Sequence, residues 1–390
     1  MSPDRIEILR SVLEIEQYRT FWEAQSSTRD AQIDFYLSHI SCSPNVLRPH
    51  VLVYFRANRP ITLLVARLER ASLNLKFGYK RLPSPILRII RMVHGGLLGE
   101  LDELISELLC DSLKKSMKEE EVDATSLHFI DINSPFFKTI YDNTNFMFRG
   151  NVLSKETHHF LYLTEINGSF LNHLTKRERS HQRQREKALL KSYNSDVKIV
   201  KMHGTEYVQR IIKIADKIME MSYQRSLGVG FETSTQNDIQ MYFEAQKGWL
   251  YAYVLYLDGT PRAFWIGSLQ NRVFLSEYLA FDQDHGRHSP GMYLLMKSID
   301  ELIKAGECEF IDFGIGHADY KSRLGNKHRD EVNFWIFATS LRGLWLSFLS
   351  RSISSLSEVV KFMLDKFNLK NKIKYILSGR SKSSISRTID

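Results

Sequence analysis

The apolar positions of the chain change period several times, and each change marks an element. Residues 50–70, HVLVYFRANRPITLLVARLER, hold two apolar runs split by Ala57-Asn58-Arg59-Pro60, which predicts strand, turn and strand. From residue 96 the spacing becomes helical, with Leu97, Leu101, Leu104, Ile105 and Leu108 recurring along GLLGELDELISELLCDSLKKSMKEE. SLHFIDI (126–132) reads as a strand, and SPFFKTIYDN (134–143) as a short helix with Ser134 as cap and Pro135 in first position. The second half repeats this style. Residues 249–282 predict three strands, with turns at Asp258-Gly259 and Gln270-Asn271. A helix behind Pro290 follows, with Met292, Leu295, Ile299 and Leu302 as its apolar stripe and Gly306 as its stop. CEFIDFG (308–314) and VNFWIFAT (332–339) read as further strands. Mostly antiparallel strands with a crossover helix before a last core strand predict a mixed α/β (α+β) layered fold, built twice. The expected domains are 1–165, 166–345 and a helical, basic extension over 346–390, in keeping with 390 residues.

Two segments escape that scheme. The first turns of LTKRERSHQRQREKALLKSYNSD (174–196) have almost no apolar face. They read as a solvated connecting helix, or as an anion-binding face of Lys176, Arg177, Arg179, Arg183, Arg185 and Lys187. In EVVKFMLDKFNLKNKIKYIL (358–377), Val359, Val360, Met363, Phe367 and Leu369 share a face. That reads as a helix packed on its domain, or as an interfacial membrane helix. The tail SGRSKSSISRTID predicts disorder.

Composition narrows the picture modestly. A net charge of +8 favours an anionic partner such as a nucleotide, RNA, a membrane surface or an acidic polymer. The N-terminal residues carry charges throughout and show no secretory pattern. No run of uncharged apolar residues is long enough to predict a spanning helix. Cys42, Cys110 and Cys308 are far apart, with neither metal spacing nor a disulfide framework, which predicts a reducing compartment and no metal.

The candidate chemistry lies around the helix behind Pro290. Ser289 is a good cap residue and Pro290 suits the first helical position, and neither requires a ligand. Gly291 costs up to about 1 kcal/mol against alanine inside a helix, so it predicts close approach of something to the backbone. Gly286, Arg287 and His288 precede it. Bare N–H groups, a positive helix end and a cation together suit a pyrophosphate. The loop FGIGHADYK (313–321) follows the next strand, and ligands in open α/β sheets sit beyond the carboxyl ends of such strands.

These residues resemble a known pattern. A strand, D-x-x-x-G-x-x-S-P-G-x-x-L-L, a long helix, Gly, then F-I-D-F-G-x-G-x-x-x-Y-K is similar to the acetyltransferases associated with cellulose and other exopolysaccharide biosynthesis, within the GNAT superfamily. The resemblance is closest over 174–326, looser in the N-terminal half, and extends to FemAB-type aminoacyl transferases. It implies two tandem GNAT-like domains, the first degenerate, and an acyl-coenzyme A donor whose pyrophosphate meets Gln283, Gly286, Arg287, His288, Ser289 and Gly291. The superfamily's usual loop is a tighter glycine-rich one. Backbone N–H groups of Leu279 and Ala280 are the expected oxyanion contacts.

Acyl transfer from a thioester needs a base for the acceptor and an acid for the leaving thiolate. By alternation Glu277 shares a face with Val273, Leu275, Leu279 and Phe281, where burial raises a carboxylate's pKa and suits a base. The plainer reading pairs it with an Arg or Lys. Asp312 is the second carboxylate, or a cap for its loop. Histidine side chains can titrate near neutrality, which makes His317 a third candidate. Tyr320 is the expected acid, or a ring packed under the loop. Lys321 and Arg225 are the expected substrate-binding cations. The reading is an acyl-CoA-dependent N- or O-acyltransferase, cytoplasmic or peripheral at the membrane, with a saccharide or small-molecule acceptor. The alternatives are an aminoacyl-tRNA-dependent transferase, the one case with a nucleic-acid partner, and an inactive basic module at a membrane surface.

Overall fold

The structure is a computed structural model describing residues 4–25, 28–73, 75–77, 80–150, 155–226, 229–316 and 318–366. The chain forms two units: residues 4–25, 44–155 and 332–366 in the first, and 28–43 and 156–331 in the second. Consecutive domains over 1–165, 166–345 and 346–390 do not describe this division. Val332, Phe334 and Ile336 are buried in the first unit's core, which draws 332–345 there.

The first unit begins with β1 (Arg5–Leu9), α1 (Val12–Glu16) and α2 (Arg19–Gln25). The strands β2 (Val46–Arg56) and β3 (Arg59–Ser72) follow. Ala57 and Asn58 take φ of 48° and 63°, the left-handed pair that a two-residue hairpin requires. A short hairpin of β4 (Lys76–Phe77) and β5 (Lys80–Arg81) precedes β6 (Ile86–Gly99). The apolar pattern did not predict β6, because Gly95-Gly96 looks like a break. Gly95 has φ 67°, and a Cβ on Gly96 would stand 2.7 Å from the Val65 carbonyl, so glycine admits a bulge against β3. Leu97 therefore belongs to a strand. The helix expected from there begins later, as α4 (Glu103–Glu119), where the Asp102 carboxylate accepts from the Ile105 N–H. β7 (Ala124–Asp131) runs parallel to β6, and α5 (Pro135–Asp142) is capped by Ser134 as the sequence predicts. The strand order is β1-β2-β3-β6-β7, then the later part of β14 (Lys327–Phe337). α4 and α5 cover Leu64, Ile90 and Phe334 on one face. α12 (Leu341–Lys366) covers Ile89, Trp335 and Phe337 on the other.

The second unit takes α3 (Ile33–Cys42), β8 (Glu156–Tyr162), α6 (Lys176–Ser192), β9 (Val197–His203), α7 (Val208–Glu220), α8 (Tyr223–Ser226) and α9 (Thr235–Gln246). It continues through β10 (Leu250–Leu257), β11 (Thr260–Gln270), β12 (Val273–Phe281), α10 (Pro290–Ala305), β13 (Phe310–Ile315) and α11 (Asp319–Leu324). Strand order is the early part of β14, then β8-β13-β12-β11-β10-β9. The turn expected at Gln270-Asn271 falls one residue later, at Asn271 (φ 45°) and Arg272 (φ 64°), since Gln270 still pairs with Val273. Residues of β10 alternate between two cores. Tyr253 and Leu255 pack with Leu295 and Ile299 of α10, and Ala252 and Val254 with Ile211 and Ile218 of α7. The unit is thus a sheet covered by α6 and α10 on one face and by α7 and α9 on the other. The described C-terminal backbone ends at 366, so Phe367, Leu369 and the tail lie outside it, as do the side chains of Val359, Val360 and Met363.

Candidate active site

β12 and β13 are parallel neighbours joined by α10, and they pair only over Val273–Leu275 and Phe310–Asp312. Beyond Leu275, β12 continues to Phe281 along β11 alone, while β13 continues along β8. The two strands part at their carboxyl ends, where a crossover α/β arrangement takes its ligands. The Asp282 N–H donates to the Arg262 carbonyl at 2.8 Å. Antiparallel alternation then turns the backbone of Ala280 toward β11, and that of Leu279 and Phe281 away from it, toward the opening. The Leu279 carbonyl accordingly accepts from Gln224 Nε2 on α8 at 3.0 Å. Of the two expected oxyanion donors, Leu279 faces the opening. Ala280 does not, because its N–H is directed into the ladder.

The pleat of β12 is interrupted beside this opening. Ile266 pairs with Tyr278 and Gly267 with Ser276, so Glu277 is the extra residue of a bulge. Phe274, Leu279 and Phe281 pack on the α10 side, whereas Tyr278 and Ala280 pack on the α7 side. The face expected for Glu277, shared with Leu279 and Phe281, is therefore wrong, because the bulge resets the alternation. Its carboxylate meets the Arg29 guanidinium, as the plainer reading had it. Arg29 also bonds Glu244 Oε1 of α9 at 3.2 Å and lies over the Phe35 ring at 4.7 Å. Glu244 is buried and takes a further bond from Gln240 Nε2 at 3.1 Å.

The loop after β12 is a 3₁₀ turn over Gln283–His288. The buried Asp282 anchors it, accepting from Arg262 Nη1 at 2.7 Å and the Asp284 N–H at 3.0 Å. Ser289 does not cap α10 with its side chain. Its backbone is left-handed (φ 51°, ψ 52°), its N–H closes the turn onto the Gly286 carbonyl, and its carbonyl accepts from Tyr293. Ser289 acts as the reversal between turn and helix, a conformation costing non-glycine residues about 1 kcal/mol or more. Gly291 also has a different reason from the one expected. A Cβ there would come 3.0 Å from Phe281 Cδ1, so the glycine makes room for the ring of the preceding strand and is buried. Gln283 and Arg287 are exposed, and Gly286 and His288 half-buried. Arg287 Nε bonds His288 Nε2 at 2.8 Å. Burial, then the charge of Arg287, holds the His288 pKa below its usual value.

α6 packs beside this loop. Its N-terminus carries a reciprocal Thr175–Glu178 capping box, and only Leu189 of its side chains is fully buried. Lys176, Arg177, Arg183, Arg185 and Lys187 are exposed. Gln182 and Arg185 line a groove with His288, Ser289 and Tyr293. The two anion-suited segments of the sequence thus meet at one place, where Lys297 and Glu186 form an ion pair of 2.7 Å.

The other wall is the end of β13. Asp312 is buried and accepts from the Gly314 N–H at 2.7 Å, so it does cap its loop. It also lies 2.5 Å from Nε2 of the buried His158, whose Nδ1 is 3.1 Å from Glu331. Burial pulls the His158 pKa down, and the bonds to Asp312 and Glu331 outweigh it, holding the imidazole above its usual value. Gly314 (φ 70°) and Gly316 (φ 113°) let the chain turn here, and Lys321 Nζ donates to the Ile315 carbonyl at 2.8 Å. Burial lowers the Lys321 pKa, and the amine braces the turn. Tyr320 packs edge-on against Phe313 at 6.0 Å, as its plainer reading had it. Burial, then the charge of Tyr223, pushes its phenol up to about 12. Its hydroxyl makes no hydrogen bond among the described residues. His317 lies outside the described residues. Arg225 is exposed on α8 beside Gln224. Cys110 and Cys308 are buried thiols pushed up to about 12, poor nucleophiles.

Sequence reasoning missed Arg29, Asp282, Gln224 and His158. Alternation in THHFLY, which sets His158 on the side of Phe160, was a usable signal for the last. Nothing local marks Arg29, which reaches Glu244 from 215 residues away.

Residues 176–322 match the family model of an acetyltransferase (GNAT) domain. This stretch holds the parted strands, the loop and the Tyr320 turn. Among solved structures, FemX superposes with a TM-score of 0.58 at 11% identity, covering 86% of this chain and 98% of its own. A conserved protein of unknown function from Bacteroides thetaiotaomicron gives 0.50 at 11% identity, over 85% and 100%. A tandem GNAT protein from the clavulanic acid biosynthesis pathway gives 0.48 at 11%, over 87% and 99%. At these identities the first two superpositions establish likeness of fold alone. No sequence among the curated proteins matches the chain.

Proposed function

We propose that the second unit transfers an acyl group directly from acyl-coenzyme A to an amino or hydroxyl group of a saccharide-type acceptor. The observation that carries this is the parting of β12 from β13 after Leu275, with the Leu279 backbone turned into the opening. An extended, amide-bearing donor can bond along such a strand edge, and its phosphates can meet the start of α10, Arg287 and Arg185. In this reading the acceptor attacks the thioester carbon and gives its proton to Glu277. The C–S bond breaks, and Tyr320 protonates the leaving thiolate. A phenol held protonated through the neutral range suits that step. Glu277 stands two residues past the point of parting, with Arg29 orienting it. Asp312, His158 and Lys321 hold the turn that carries Tyr320. The saccharide acceptor rests on the motif resemblance alone.

A second reading takes an aminoacyl-tRNA as donor, favoured by the exposed cations of α6. Titration with acetyl-CoA separates the two. Saturable binding, weakened by Arg287→Glu, supports the CoA donor. Transfer that needs RNA and vanishes with ribonuclease, without CoA binding, overturns it.

A further inference from the structure

α12 has one broad apolar face, and the first unit covers only part of it. Leu346, Leu349 and Ile353 pack on Trp335, Phe337 and Leu87. Beside them on the same face Leu341 is 89% exposed, Trp345 56% and Phe348 71%, and Leu356 is exposed too. Positions 341, 345, 348 and 356 fall within a narrow arc at 3.6 residues per turn, so they form one stripe. Phe146 and Met147, both exposed, extend it sideways, lining a groove with Phe348 and Arg351. The Arg351 guanidinium lies 3.7 Å over the Phe146 ring and donates to the Phe146 carbonyl at 3.0 Å, which sets a cation at the rim. Arg342 pairs with Asp123 at 2.7 Å and fixes the start of the helix. The stripe faces outward, and a contiguous exposed aromatic patch of this kind marks an interaction surface.

Charge selects the partner. Between residues 361 and 387 the sequence places eight Lys or Arg against one acidic residue, Asp365, much of the surplus in a chain of net +8. A second copy of the chain carries the same surplus of cations, so charge favours an anionic partner over self-association. We propose that the Leu341–Trp345–Phe348–Leu356 face, with Phe146 and Met147, docks on the surface of an anionic phospholipid bilayer. The aromatic rings enter at headgroup depth and Arg351 at the rim meets the lipid phosphates. No described helix is long and apolar enough to cross a membrane. The proposal is independent of the acyl donor.

The test is co-sedimentation of the full chain with vesicles of phosphatidylcholine alone and of phosphatidylcholine mixed with phosphatidylglycerol. Binding is expected to the mixed vesicles only, to fall as salt is raised, and to weaken roughly tenfold in Trp345→Ser/Phe348→Ser. Those side chains are exposed, and an unchanged unfolding midpoint in the variant shows that it still folds. Three results overturn the proposal: no binding to anionic vesicles, equal binding by the double variant, or a lipid-free dimer that the double variant dissociates.

Discussion

Tyr320 carries the sharpest residue-level expectation. Burial pushes its phenol up to about 12, so in the proposed mechanism it gives a proton rather than takes one. Tyr320→Phe is expected to lower turnover about a hundredfold while donor affinity stays within about twofold, read from steady-state CoA release and a binding titration. Equal loss of both would assign the ring to packing only. Gly291 shows how far a single residue was legible. That a glycine so early in α10 needs a reason follows from its propensity, but the reason, the Phe281 ring, comes from the preceding strand. Gly291→Val is expected to destabilise by about 1–3 kcal/mol, and Phe281→Leu in the same chain to restore part of it. Strict additivity of the two losses in urea unfolding would contradict the contact.

Among elements, β12 decides the site. The strand, its partners and the crossover helix α10 were all readable from apolar period and turn residues. The bulge at Glu277 was not, because a period-2 reading assumes an unbroken pleat. One inserted residue moved the carboxylate to the opposite face, against Arg29. That guanidinium serves two carboxylates with side chains at most 11% exposed, so removing it leaves charge poorly compensated. Arg29→Ala is expected to cost about 3 kcal/mol, measured by chemical unfolding, and Glu244→Gln in the same chain to recover part of the loss. The solvated and anion-binding readings of α6 need not exclude each other. The helix is mostly exposed, and Arg185 still borders the loop before α10. Arg185→Glu is expected to weaken the proposed donor about tenfold, most strongly at low salt.

At the scale of the whole molecule, the count of two mixed-sheet units was legible, but their composition from non-consecutive segments was not. β14 feeds one unit with 327–331 and the other with 332–337, and no local pattern marks where a continuous apolar strand changes core. One buried histidine in each unit shifts in the opposite direction from the other. In the first, burial and then the charge of Arg48 lower His50 to about 4. Its depressed value means that stability is full above about 6.5 and is lost as pH falls toward 4, on the order of 3 kcal/mol. In the second, His158 is raised, so its contribution is full below about 6.5 and is lost as pH rises through the folded value. His50→Leu is expected to flatten the acid limb of a stability–pH profile and leave the alkaline limb unchanged. The central claim is that the donor lies in the opening between β12 and β13, and backbone amide hydrogen exchange with and without acetyl-CoA tests it most directly. Slowed exchange at Leu279, Phe281 and Gly291 to Tyr293 is the predicted result. Binding with protection elsewhere, or no protection at saturating acetyl-CoA, would contradict it.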